Sequence, residues 1–426
     1  MIIKKSKFLL TLILLSSLSL SSQVKIKLSI EDNVDSVYYL LKYKGDKIIS
    51  TIDSCSYSDN YIIKNKNKYE EGIYVIADKK KNPLLEILID KDQKFSLKID
   101  NLMDVKTYKV KGCKVTSDYF DIYAKTIHYS LYIKALESEI DYNIDNKNKI
   151  DSLSCLLYKY QESKIKKNNS FLNTYIKFIE KIIVPEQIKN DAAKSKNYIM
   201  EHYFDEIPLC DRRILNSHLL KNKLDDYFNH IIASESSEYT CDKIDNNIKK
   251  VYNCQDVRDY ILWNMYSRYF IHDDLKHENT FIHLVDNYFS KLEIENLTPN
   301  IRDRIVKRSD ILRDITIGKS MPNIDYINKN GDTTSLKDIE KENVIVLFYK
   351  TDCQKCHKAK RILSLIEEKY KNIEFVTINI TDEIANHEIV TRYDIMNVPS
   401  IFVLDKERKI ITKNIEAEEV ELYLTR

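Results

Sequence analysis

Apolar and polar residues alternate along Val24, Ile26, Leu28 and Ile30, and again along Phe95, Leu97 and Ile99. Strict alternation sends one side of the chain to a core and the other to water, so both stretches read as β-strands. Three more strand candidates lie between them, at residues 37–43, 72–77 and 84–89, separated by Asp- or Lys-rich turns. Several short strands at such spacing predict an N-terminal antiparallel β-sandwich over residues 23–113, with no catalytic constellation in it. From Thr116 the period changes. Phe120, Ala124, Ile127, Leu131 and Ala135 recur in steps of three and four, and Thr116-Ser117-Asp118 reads as the start of that helix. Leu172, Tyr175, Ile179 and Ile182 mark a second helical face before Pro185, which lacks the N–H a helix needs. The same period continues through residues 219–232, 257–270 and 281–292, so 114–312 is predicted to be a central all-α domain without a fixed repeat.

Beyond residue 313 strand and helix patterns take turns. Residues 324–327 and 333–335 flank the Asn330-Gly331 turn and predict a leading hairpin. Residues 344–349 are an unbroken apolar run, as expected of a strand buried on both faces. A helix follows with Ala359, Ile362, Leu363, Ile366 and Tyr370 inward, then a strand at 373–378 and a helix at 382–393. Val398-Pro399-Ser400 leads into strands at 401–404 and 409–412 and a last helix at 416–424. The chain as a whole is therefore predicted to be multidomain α+β, ending in an α/β domain at 313–426.

The length of 426 residues fits two or three domains. Lys and Arg number 67 against 65 Asp and Glu, so no charge excess points to nucleic acid. The first 22 residues read as a signal peptide. Lys4, Lys5 and Lys7 precede an apolar core, and Ser19-Leu20-Ser21 offers small residues for cleavage near Ser22 or Gln23. That core is shorter than the roughly 20 residues that span a bilayer. The expectation is an exported protein of the periplasm or cell envelope, with no stable membrane span after cleavage.

The chemistry concentrates at Cys353-Gln-Lys-Cys356, placed directly between a buried strand and an amphipathic helix. A helix N-terminus offers free N–H groups and partial positive charge, both of which favour a thiolate. Two cysteines there can attack a disulfide and then close on each other, which is thiol–disulfide exchange. Lys355 and His357 add positive or protonatable neighbours. Cys353-x-x-Cys356-His357 is also the attachment spacing of a c-type haem, but the strand–helix context is that of a redox pair. Zinc would require about four ligands, and no second pair lies nearby. A purely structural bridge across so short a loop would constrain little of the unfolded chain. No cofactor beyond the dithiol and no metal is expected. The other six cysteines, Cys55, Cys113, Cys155, Cys210, Cys241 and Cys254, are irregularly spaced, and Cys241 with Cys254 is the simplest structural pairing. His272, Asp273, Asp274, His277 and His283 lack metal-ligand spacing and read as a solvated turn, while Tyr260, Trp263, Tyr266, Tyr269 and Phe270 read as core.

Residues 315–426 resemble the thioredoxin-like oxidoreductases of the bacterial envelope, close to the TlpA/ResA type. The resemblance rests on Gly318-Lys-Ser-Met-Pro322, Asn330-Gly331-Asp332, Ser335-Leu336, Phe348-Tyr349 before the cysteine pair, and Asn397-Val398-Pro399-Ser400-Ile401-Phe402-Val403-Leu404-Asp405. It implies a thioredoxin fold with Cys353 as nucleophile, Cys356 as resolving thiol, and a cis Pro399 that lines a substrate groove with Val398. The layout also resembles multidomain envelope oxidoreductases whose helical domain has no known function; His202-Tyr203-Phe204-Asp205 and Asp211-Arg212-Arg213-Ile214-Leu215 carry that likeness. The chain departs from the pattern at Asp352, where a Trp is common, and at Leu347, where thioredoxin has a buried acid. Implied partners are protein disulfide or dithiol substrates and an envelope redox partner. The competing reading is a non-catalytic envelope binding or structural protein with a relic thioredoxin fold.

Overall fold

The computed structural model describes residues 23–31, 35–45, 47–138, 144–270, 275–328, 330–382 and 384–424. Residues 1–22, expected to be a signal peptide, and the trio His272, Asp273 and Asp274 lie outside the described residues. Contacts divide the chain into two compact units, residues 1–233 and 234–426, so the division falls within the helical stretch.

The first unit carries strands β1 (Val24–Ile30), β2 (Val37–Lys44), β3 (Lys47–Ser56), β4 (Ile62–Asn65), β5 (Gly72–Ala77), β6 (Pro83–Ile89), β7 (Lys94–Ile99) and β8 (Tyr108–Lys111). They form two four-stranded sheets, ordered β4-β1-β7-β8 and β3-β2-β5-β6. Along β1 the apolar residues are buried and the lysines exposed, as the alternation requires. Central β5 is buried throughout. The expectation of wholly antiparallel pairing needs one correction: β1 pairs with β7 in parallel, Lys25 opposite Lys94 through Ile30 opposite Ile99. Parallel neighbours need a long crossover, and here the chain builds the second sheet before returning as β7.

Helices α1 (Lys114–Glu137), α2 (Ile144–Glu162), α3 (Phe171–Ile179), α4 (Ala192–His202) and α5 (Leu219–Asp226) complete this unit. The start of α1 is Cys113, not the Thr116-Ser117-Asp118 cluster. Those polar residues are inside the helix because tertiary partners receive them: the Thr116 hydroxyl donates to the Leu88 carbonyl at 3.0 Å, and buried Asp118 faces Lys114, Lys164 and Lys166.

The second unit opens with α6 (Ser237–Lys250), α7 (Gln255–Phe270), α8 (Leu275–Leu284) and α9 (Pro299–Asp314). The last begins with a Thr298 cap followed by proline, which fits the first turn because its N–H would be unpaired anyway. The expected Cys241–Cys254 bridge is not formed. Cys241 is a free thiol buried in α6 beside Thr280, and burial pushes its pKa up to about 11.

There follow β9 (Asp325–Ile327), β10 (Thr333–Ser335), β11 (Asn343–Tyr349), α10 (Gln354–Lys369), β12 (Ile373–Asn379), α11 (His387–Arg392), β13 (Ser400–Leu404), β14 (Ile410–Lys413) and α12 (Val420–Leu424). The main sheet runs β12-β11-β13-β14. β11 pairs with β12 in parallel across α10, and with β13 antiparallel. Ile345 and Leu347 of β11, Ala359, Leu363 and Ile366 of α10, and Ile401 and Val403 of β13 form one buried cluster. The apolar stripe of α10 is therefore what fixes its first turn at the end of β11.

Candidate active site

Strand β11 is buried from Val344 to Phe348 and stops at Tyr349, so the chain leaves the sheet at a defined edge. Thr351 then docks on the neighbouring strand end: its N–H donates to Thr381 Oγ1 at 2.8 Å, and that hydroxyl donates to Asn379 Oδ1 at 2.6 Å. Cys353 is the N-cap of α10, and its Sγ accepts the N–H of Cys356 at 3.0 Å. The two sulfurs are bonded to each other, with the Cα atoms 5.2 Å apart. Cys353 is half-buried, whereas Cys356, one turn inward, is 1% exposed. One sulfur faces outward at a helix N-terminus and the other is shielded behind it.

The second wall of the site comes from the opposite side of the sheet. The Val398–Pro399 bond is cis, and the Val398 carbonyl oxygen lies 3.8 Å from Cys353 Sγ. Immediately beyond, the Ser400 hydroxyl donates to Asn414 Oδ1 at 3.0 Å and the Asn414 N–H donates to the Ile401 carbonyl at 2.8 Å. Upstream, the Tyr393 hydroxyl donates to the Pro322 carbonyl at 2.9 Å, and its ring packs on Phe348 at 5.3 Å. The segment between Tyr393 and Ser400 is thus tied at both ends.

Of the residues singled out from sequence, Cys353, Cys356, Val398 and Pro399 converge. Lys355 is exposed in the first turn of α10. His357 is also exposed, and its Nε2 donates to the Thr351 carbonyl at 2.9 Å, which ties the ring to the loop it follows. Asp352 is exposed, and Leu347 is buried in the apolar cluster, so no acid lies at that position. The Thr351–Thr381 contact, the Tyr393 clasp and the Lys360 ammonium 3.1 Å over the Tyr349 ring were not signalled by spacing. A cleft of about 290 Å³ lies between β9, β12 and α10, and neither cysteine lines it.

The other clusters resolve blandly. His283 Nε2 is 2.7 Å from Asp245 Oδ1, and the His277 ring packs on Tyr269 at 5.4 Å. Among the described residues no group of three or more His, Cys, Asp or Glu is arranged to hold a metal. Trp263 and Tyr266 pack on Phe289, and the indole N–H donates to the Glu295 carbonyl at 2.8 Å, so these aromatics act as core.

Residues 345–408 match the glutaredoxin family, and residues 154–313 match a domain of unknown function, DUF5106. The chain is 27% identical over 132 residues to a thiol-disulfide oxidoreductase ResA of Bacillus cereus, covering 25% of this chain and 76% of that protein. The C-terminal region is thioredoxin-like. The ResA of Bacillus thuringiensis subsp. konkukian is similar at 26% identity over 129 residues, covering 25% of this chain and 74% of that relative. Among solved structures, a thioredoxin-like protein from Bacteroides caccae aligns with TM-score 0.47 and 16% identity, over 57% of this chain and 97% of its own. The thioredoxin domain of a thiol-disulfide oxidoreductase from Bacteroides vulgatus aligns with TM-score 0.23 and 22% identity, over 26% of this chain and 94% of its own. Within this thioredoxin-like region the strand–cysteine–helix unit and the Val398–Pro399 turn are adjacent in space, although they are far apart in sequence.

Proposed function

We propose that the chain is an exported thiol–disulfide oxidoreductase that exchanges disulfides with envelope proteins through Cys353-Gln-Lys-Cys356. The observation that carries this reading is the asymmetry of the pair: Cys353 outward at the helix N-terminus, Cys356 buried within bonding reach of it. In the reducing direction the Cys353 thiolate attacks one sulfur of a substrate disulfide. The other substrate sulfur leaves as a thiolate and takes a proton, which gives a mixed disulfide. Cys356, once deprotonated, attacks Cys353 Sγ and releases the second substrate thiol. Two electrons and two protons pass to the substrate, and Cys353 and Cys356 are left bonded. A dithiol partner in the envelope returns the pair to the reduced form, and the oxidising direction reverses each step. The Val398 backbone, beside the reacting sulfur, is placed to pair with an extended substrate.

Relatives named as thiol-disulfide oxidoreductases support the chemistry. The basic–apolar leader supports export, and among the described residues no helix is long and apolar enough to cross a membrane. Insulin reduction tests the reading. The mature protein should precipitate insulin chains with dithiothreitol as reductant, Cys353→Ser should be inactive, and Cys356→Ser should accumulate a mixed disulfide on Cys353. A wild-type protein no faster than dithiothreitol alone would leave only the relic-fold alternative.

A further inference from the structure

One ion pair reaches from α9 to the chain entering the Val398–Pro399 turn, and a second reaches from α8 to strand β14, beside the strand that leaves it. On α9, Arg308 grips Asp394 with a forked contact, Nε to Oδ1 at 2.9 Å and Nη2 to Oδ2 at 2.9 Å. The two side chains are only 11% and 13% exposed. The remaining arm, Nη1, donates to the Phe270 carbonyl at 2.7 Å, and the guanidinium lies 4.1 Å over the Phe270 ring. Arg308 is thus held in place by α7 and then holds Asp394. Asp394 sits just past α11 in the left-handed region, φ 46°, and residues 395–398 connect it directly to Pro399. That conformation closes the C-terminal cap of α11, with the Asp394 N–H donating to the Thr391 carbonyl at 3.2 Å and the Ile395 N–H to the Val390 carbonyl at 2.9 Å, and Arg308 holds the capped end by its side chain.

The other flank is anchored in the same way. Glu278 of α8 meets Lys413 of β14 at 2.8 Å, with side chains 3% and 5% exposed. Lys413 lies opposite Phe402 in β13, and its neighbour Asn414 receives the Ser400 hydroxyl. The chain entering the Val398–Pro399 turn and the strand beside the chain leaving it are each fixed by an ion pair from the helical region.

We propose that Arg308 is a positioning residue for the substrate-facing segment 395–399, with Glu278–Lys413 as a second anchor. The helical region then sets how well a protein disulfide is held against Cys353, while the thiol chemistry itself stays with α10. This rests on the disulfide-exchange reading. A forked guanidinium–carboxylate contact fixes orientation as well as distance, which a lysine cannot reproduce. The Val398 carbonyl is 3.8 Å from the reacting sulfur, so a small shift of this segment changes how a substrate backbone docks.

The test uses the full mature protein with dithiothreitol as recycling reductant and insulin as substrate. Arg308→Lys and the near-isosteric Asp394→Asn should each raise KM for insulin about tenfold while kcat stays within about twofold. The double variant should be no worse than either single, because both remove one contact. Glu278→Gln should raise KM about threefold. The alkylation rate of Cys353 with iodoacetamide and the potential of the dithiol should match wild type in all four. An inactive wild type would refute the exchange reading itself. With an active wild type, an unchanged KM in Arg308→Lys and Asp394→Asn, or additive losses in the double variant, overturns the positioning role. Equal shifts in alkylation, potential and KM overturn it as well, since they would reflect general loosening of the domain.

Discussion

Cys353 Sγ and the Val398 carbonyl oxygen, 45 residues apart in sequence, stand 3.8 Å from each other at the mouth of α10. On the proposed function, an extended substrate would meet a reactive sulfur and a backbone acceptor at once, without need of a deep pocket. Main-chain pairing of this kind tolerates many sequences.

The first expectation concerns the order in which the thiols react. Cys353 caps the helix and is half-buried, whereas Cys356 is 1% exposed. When the reduced protein is treated briefly with iodoacetamide at mildly acidic pH, peptide mapping should find the label on Cys353. Label on Cys356 first would reverse the two assignments.

A second expectation follows from Leu347, which is 1% exposed in the cluster with Ala359 and Leu363. Leu347→Asp would place a carboxyl there without a partner, at a loss of about 3 kcal/mol or more. Such a site raises the folded pKa above the unfolded value of about 3.9, so the folded form binds more protons and stability falls as pH rises through that window. Urea unfolding should show a smaller loss at pH 5 than at pH 8. Equal losses at both would mean that the carboxylate finds a cation.

The third expectation is the poise of the dithiol. Whatever stabilises the thiolate makes the disulfide a stronger oxidant. The helix N-terminus and the absence of an acid at Leu347 act in that direction, while the exposed charges of Lys355 and Asp352 oppose each other and are both screened by solvent. The potential should lie at about −150 to −250 mV by equilibration with glutathione. A value well below about −270 mV would show that these groups do not set it.

A fourth expectation concerns pH and the first unit. Burial, with a hydrogen bond to Glu162, pushes Glu180 from its ordinary 4.5 to about 7. Lys177, 2.8 Å from Glu162, holds Glu162 below its usual range. Glu180 thus carries an extra proton in the folded state between those two values, and its contribution to stability falls as pH rises through them. Glu180→Gln should flatten that decline and stabilise the protein by about 1 kcal/mol at pH 8, allowing for solvent screening. An unchanged slope between pH 5 and 8 would assign the titration to another group.

Much of the second unit was legible because its signals are local. The apolar run into Tyr349, the cysteine spacing and the helical stripe through Ile366 leave little choice of element, and β10 begins and ends where its pattern does. The first unit hid more. Strand β3 escaped notice because it carries one extra residue at each of two register shifts against β2, opposite Leu40/Leu41 and Lys42/Tyr43, which breaks its own alternation. Thr116-Ser117-Asp118 looked like a cap because its partners, Leu88 and Lys164, come from distant segments. The Arg308–Asp394 contact spans 86 residues, and no spacing rule could join them.

On the proposed function, the sulfur that caps α10, where Cys353 Sγ accepts the Cys356 N–H at 3.0 Å, is also the sulfur that exchanges electrons. A thiolate is a stronger acceptor than a disulfide sulfur at a helix N-terminus, so reduction tightens that first turn. Over a closed cycle, the difference in unfolding free energy between reduced and oxidised protein equals the difference in potential between the folded and unfolded dithiol. Each 30 mV corresponds to about 1.4 kcal/mol. On that reading, a dithiol that reduces the pair stabilises the fold as it does so, and a melting curve becomes a readout of redox state.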